Sequence, residues 1–184
     1  MRVSPLFALT FCFALVSCAT PRSALLERFE AGLAAQDSAT AALESWCGQR
    51  GFADPARVIA APLTGEALAA SARIRAQLGV TAAEPLKYRH VRLSCGGRAL
   101  SDAHNWYVPA RLTAEMNRQL ETSDIPFGKV IASLDFTRER LAAQRGASPE
   151  CPPGTVLSHR ALLRLPDGRA ISLVIECYGK ANLH

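Results

Sequence analysis

No two cysteines in this chain stand in a Cys-x-x-Cys spacing and no two histidines stand two or four residues apart. The short-range chelating pairs that nucleate zinc and other transition-metal sites are therefore missing, and neither a metal nor a cofactor is expected. A Gly-x-Ser-x-Gly elbow is also lacking. Ser158 is followed directly by His159, and a strand would point those two side chains to opposite faces, so a hydrolase triad has no support. Lysines and arginines form no block of the kind that tracks nucleic acid, and the net charge is only +5. The apolar run over residues 6–16 falls well short of the roughly 20 residues a membrane-spanning helix needs.

That run has the length of a signal-peptide core, follows Arg2, and ends in Leu15-Val16-Ser17-Cys18. The ending resembles the lipobox of bacterial lipoproteins, which implies cleavage ahead of Cys18, a lipid on Cys18, and a place on the periplasmic side of the envelope at the outer membrane. Ordinary secretory cleavage after Ala19 is the alternative, because Ser17-Cys18-Ala19 also fits the small-x-small rule. Both export the chain. The expected organisation is a signal peptide over residues 1–17, a lipid-anchored tether over 18–23 and one domain over 24–184, with a monomer expected. Cys12 leaves with the signal, so Cys47, Cys95, Cys151 and Cys177 remain in the domain. In an oxidising compartment they suggest two disulfides with three pairings open, the alternative being buried thiols.

Leu25, Leu26, Phe29 and Leu33 recur at helical spacing behind Ser23, which could serve as N-cap. A second helix is expected from Asp37 or Ser38 to about Cys47, stopped by Gly48 and Gly51, then a short strand over residues 57–60 and an alanine-rich helix over 64–78. From Leu86 the period becomes two, through the turn at Gly96-Gly97, with residues 104–108 returning as partner strand. Thr113 caps a short helix to Leu120, Pro126 opens a helical turn, and residues 135–143 fit either strand or helix. Residues 156–165 and 170–178 flank Pro166-Asp167-Gly168 as a hairpin. Helices followed by hairpin-linked strands argue an α+β fold with an antiparallel sheet.

The segments Tyr88-Arg89-His90-Val91-Arg92-Leu93-Ser94-Cys95, Trp106-Tyr107-Val108-Pro109, Ile125-Pro126-Phe127-Gly128, Phe136-Thr137-Arg138 and Leu173-Val174-Ile175-Glu176 follow one another in the order and spacing of the bacterial chorismate pyruvate-lyases. Upstream, the stretch from Asp37 to Glu44 is similar to that family's early Asp-Ser-Met-Thr helix. The resemblance implies a six-stranded antiparallel sheet flanked by helices and enclosing a small ligand pocket, a fold shared with effector-binding domains of some transcription regulators. No DNA-binding helix pair precedes it here.

The resemblance further implies conversion of chorismate, or a related enol-ether dicarboxylate, to an aromatic carboxylate plus pyruvate. Arg89 would clamp a substrate carboxylate with its forked donors, and Glu176, placed among Leu173, Val174, Ile175 and Tyr178, would be the buried proton donor. Phe127 and Gly128 would contact the ligand and Arg138 would add charge nearby. Each has a plainer reading: a salt-bridged strand arginine, an edge-strand glutamate facing water, a turn glycine beside a core aromatic, a solvated arginine. Ala103-His104-Asn105 departs from the family's glycine-arginine pair, and Cys47, Cys151 and the insertion over residues 48–55 are additions. The expected partner is accordingly a small anionic metabolite, met by an exported lyase, by a non-catalytic lipoprotein that keeps the pocket, or by a structural envelope lipoprotein with a vestigial one.

Overall fold

A computed structural model describes residues 20–65 and 67–184. The signal segment and Cys18 lie outside the described residues. Helix α1 (Pro21–Ala34) begins with proline at its first position and Thr20 as N-cap, so the expected tether is helical from Pro21 and Ser23 is not the cap. Helix α2 (Ala39–Gln49) is capped by Ser38, whose Oγ accepts from the Ala41 N–H, and runs through Gly48 before Gly51 takes a positive φ. Strand β1 (Val58–Pro62) follows.

The expected helix over 64–78 is realised only as α3 (Ala72–Leu78), between the Ser71 N-cap and the left-handed Gly79. Upstream, the Leu68 carbonyl accepts from the Trp106 indole N–H at 2.9 Å, a tertiary bond in place of a helical one. Strands β2 (Lys87–Cys95) and β3 (Arg98–Tyr107) form a hairpin that reaches back to Arg98, well beyond the expected start at residue 104. Helix α4 (Ala114–Thr122) has the expected Thr113 cap, and the single turn α5 (Phe127–Val130) starts after Pro126. The ambiguous segment is strand, β4 (Thr137–Arg145), and the chain closes with the hairpin β5 (Thr155–Arg164) and β6 (Ala170–Gly179).

The six strands form one antiparallel sheet in the order β1-β2-β3-β6-β5-β4, so the two hairpins meet through β3 and β6. Strand β6 is buried from Ala170 to Tyr178 because both faces are covered. Helices α1 and α2 lie on one face, where Phe29, Leu43 and Trp46 pack with Val91, Leu93 and Tyr178. Helix α3 covers the other, where Ile74 and Leu78 pack with Trp106, Leu173 and Ile175.

Each face carries one disulfide. Cys47–Cys95 ties α2 to the end of β2, and Cys151–Cys177 ties the β4–β5 loop to β6. Gly96, immediately after Cys95, has φ +57°, and a Cβ there would stand 2.3 Å from the Phe52 carbonyl oxygen, so glycine is required on both counts. The bridges join residues 48 and 26 positions apart. On loop-closure entropy alone, paired alanine substitution of each bridge is expected to cost about 4 and about 3.5 kcal/mol. Urea unfolding of the two double variants checks this, and a loss below about 1 kcal/mol in either would show that bridge to be idle.

Candidate functional site

The strand register decides which side chains meet. Arg89 is opposite Asn105, Asn105 opposite Val174, Val91 opposite Ala103, and Ala103 opposite Glu176, so all six share the α2 face of the sheet. Helix α2 presents its first turn there, α5 brings Phe127 and Gly128, and β4 contributes Arg138. Together these enclose a cavity of about 50 Å³. Arg89, Phe127, Gly128, Arg138 and Glu176, the five ligand-site residues singled out in the sequence, all line it.

Gly128 is there because the two helix starts crowd each other. A Cβ on it would lie 2.7 Å from Ser38 Oγ, the atom that caps α2. Phe127 closes one wall with its ring against Tyr107, 5.5 Å between centroids. Leu93, Phe136, Leu163 and Val174 complete an apolar lining.

Two residues differ from their expected roles. Arg138 is not solvated: it reaches over β5 to clasp Glu176, with Nη1 donating to Oε1 at 3.1 Å, Nη2 bonded to Oε2, and both side chains only 6% exposed. Burial alone would lower the Arg138 guanidinium, but the charge of Glu176, the nearby Tyr178 and the hydrogen bonds to Glu176 hold it above its ordinary value. Glu176 Oε2 also accepts from the Tyr178 hydroxyl at 2.8 Å. Both hydrogen-bond partners of this carboxyl, Arg138 and Tyr178, donate to it. The edge-strand alternative fails, since β6 is central.

Arg89 is half-buried and unneutralised. Its Nη1 donates to the Ile125 carbonyl and its Nη2 to the Ser123 carbonyl, both at 3.1 Å, and among the described residues it makes no ion pair. Burial pulls it below the ordinary arginine value, only partly offset by Tyr107 and Asp124.

Asn105 was legible only as a departure from the family pattern, yet it lies beside Arg89. It is 4% exposed, its Oδ1 is engaged by the Ser172 hydroxyl, and its Nδ2 has no partner among the described residues. A buried amide donor left unpaired costs about 1–3 kcal/mol and marks a place where something else supplies the acceptor. The first turn of α2 adds backbone N–H groups with no intrahelical partners. At the sheet end of the cavity, Arg89 and the Asn105 amide thus leave donor capacity unmet.

The remaining histidines sit elsewhere. On the opposite face His90 stacks on His104, 4.1 Å between centroids, and His104 bonds the Tyr88 hydroxyl and the Glu150 carbonyl. Among the described residues no group of three His, Cys, Asp or Glu side chains could hold a metal. His159 is directly opposite Glu176 and packs edge-on against Tyr178.

Burial lowers His159 to about 4, with Glu176 opposing the shift and Arg138 and Arg140 adding to it. The unfolded chain therefore binds this proton near pH 6.5 and the folded chain only near 4, so stability drops as pH falls through that window, by about 3 kcal/mol in full. Urea titrations at pH 7 and pH 4 are expected to show His159→Gln losing about 2–3 kcal/mol less than the parent. Equal losses would mean that His159 titrates alike in both states.

No family model matches the sequence. The chain is 42% identical over 174 residues to the uncharacterized protein y4mC of Sinorhizobium fredii (strain NBRC 101917 / NGR234), covering 84% of this chain and 73% of that protein. In structure it is similar to the effector domain of PhnF from Mycobacterium smegmatis, with a TM-score of 0.55 and 14% identity over 78% of this chain and 88% of that one. The structure of PhnF from the same organism also has a TM-score of 0.55, at 14% identity over 81% of this chain and 66% of that one. These neighbours, and others described as GntR-family transcriptional regulators, share the six-stranded fold of this chain. They overturn the assignment to the chorismate pyruvate-lyases as an exported variant, while the α+β fold with its six-stranded antiparallel sheet stands. At 14% identity the likeness carries the fold alone.

Proposed function

The chain belongs to the family of the Sinorhizobium fredii protein y4mC, and we propose that its domain binds a small carboxylate in the cavity between α2, α5 and the sheet without turning it over. One observation carries the reading: a half-buried Arg89 that makes no ion pair among the described residues stands beside a buried Asn105 Nδ2 that finds no acceptor among them. A carboxylate satisfies both, since it supplies a negative charge and several lone pairs to a forked donor and an amide. A ligand-binding role also agrees with the effector-binding neighbours. The lyase alternative is less well supported, because Glu176, the residue it would use as acid, is bonded to Arg138 and Tyr178.

Isothermal titration of the purified, disulfide-intact protein with a series from acetate to 4-hydroxybenzoate tests the reading. At least one member is expected to bind one to one, and Arg89→Met and Asn105→Ala are each expected to weaken it at least tenfold, the worth of a charge-assisted or buried hydrogen bond. Absence of binding across the series, or affinity unchanged in both variants, would refute it.

The proposal extends to location. The apolar segment ending at Cys18 and the two disulfides support a lipid-anchored domain on the periplasmic side of the envelope, because thiols stay reduced in the cytoplasm of most bacteria. Metabolic labelling with palmitate is expected to mark the full chain expressed in a Gram-negative host and to leave Cys18→Ala unlabelled. Label that persists in the variant would place the lipid on another residue, and none in the parent would argue for simple secretion or retention.

A further inference from the structure

We infer that the cavity selects monoanions against dianions, its ligand being a short aliphatic monocarboxylate, and that the Arg138–Glu176 pair sets this selectivity. The inference rests on the carboxylate-binding reading above and goes further by fixing the ligand's charge and size. Two guanidinium groups line the cavity, and two cations would ordinarily make a receptor for a dicarboxylate. Here only one is available. Arg138 is neutralised from within the chain: Glu176 takes both of its terminal nitrogens, and Glu176 is in turn held by Tyr178.

A second carboxylate entering beside Arg138 would find the guanidinium occupied and the Glu176 charge next to it. Like charges in a site of low dielectric are costly, so the second anionic group would be rejected and not merely left unrewarded. Asp37 adds to the exclusion at the cavity rim, where its Oδ1 accepts from the Arg138 backbone N–H and its side chain carries further negative potential.

Size points the same way. The cavity measures about 50 Å³. That matches a carboxylate with a short tail and is far below the roughly 300 Å³ at which pockets for drug-sized ligands begin. The polarity is also one-ended. Arg89, Asn105 and the α2 N-terminus supply donors, whereas Leu93, Leu163 and Phe136 can meet only hydrocarbon.

Butyrate and oxalate have equal numbers of non-hydrogen atoms and differ in charge, so their affinities for the intact protein, measured by isothermal titration, separate charge from size. Butyrate or propionate is expected to bind at least tenfold more tightly than oxalate or malonate, and Glu176→Gln to narrow that ratio at least tenfold by releasing the Arg138 charge. Dicarboxylates that bind the parent as well as butyrate, in an Arg89-dependent way, would overturn the monoanion inference and leave the carboxylate site standing. Failure of every carboxylate would overturn both. Should Glu176→Gln not fold, the parent's butyrate-to-oxalate ratio and the preference for propionate over 4-hydroxybenzoate each still decide the matter.

Discussion

The ion pair between Arg138 and Glu176 spans the sheet from its edge to its centre. Strand β4 is an edge strand exposed along most of its length, with few apolar side chains to hold it in place. Arg138 anchors it twice: its side chain reaches Glu176 on β6, and its backbone N–H donates to Asp37, the residue just ahead of the α2 cap. Edge strand, central strand and helix start are thereby fixed around one residue. A buried pair of this kind contributes little net stability against an apolar replacement, but removing one partner alone costs about 3–5 kcal/mol because the other is left charged in the interior. Its value here is positional, since it defines one wall of the cavity and cancels one of the cavity's two cations.

The same economy of charge explains why Arg89 stands out. Of the two guanidinium groups that line the cavity, Arg138 is matched by Glu176. Arg89 has only carbonyl oxygens, those of Ser123 and Ile125, which fix the orientation of the fork without neutralising it. The loop that supplies them leads directly into α5, so the geometry of the cation and the placement of Phe127 and Gly128 depend on the same few residues. Gly128 in turn lets α5 approach the Ser38 cap of α2. Cys47–Cys95 braces the helix that brings that cap, and Cys151–Cys177 braces the opposite face. Cavity walls are thus supported by covalent links on both sides of the sheet.

Much of this was legible in the sequence because it is written in local pattern. Period-two alternation flanking Gly96-Gly97 and Asp167-Gly168 gave both hairpins, and Ser38 and Thr113 announced their helices by capping chemistry. What local pattern could not show was long-range competition. Residues 64–70 are alanine-rich but not helical, since the Trp106 indole takes the Leu68 carbonyl. Glu176 was visible as a carboxylate among apolar neighbours, yet whether it would be a proton donor or an ion-pair partner depended on Arg138, 38 residues away. The family assignment erred for a related reason: short tolerant motifs in the right order report a shared fold, and the fold is what the structural neighbours share.

Asn105 shows how a single residue can hide a site. Counting outward from the pairing of Cys95 with Arg98 would set His104 opposite Arg89 and send Asn105 to the far face. The register shifts between Leu93 and Ser94, where Leu100 on β3 is left unpaired, and from there onward Arg89 faces Asn105. The bulged Leu100 is fully buried among the α1 and α2 contacts, so the extra residue is held by packing and not by any turn signal in the sequence. Its chemical consequence is large. Without the bulge an imidazole would face the guanidinium across the hairpin; with it, Arg89 is next to a neutral amide that donates, and His104 is instead stacked on His90 and bonded to Tyr88 on the opposite face. An amide beside a guanidinium offers donors to a carboxylate while adding no second charge, which is the composition a receptor for a single small anion requires.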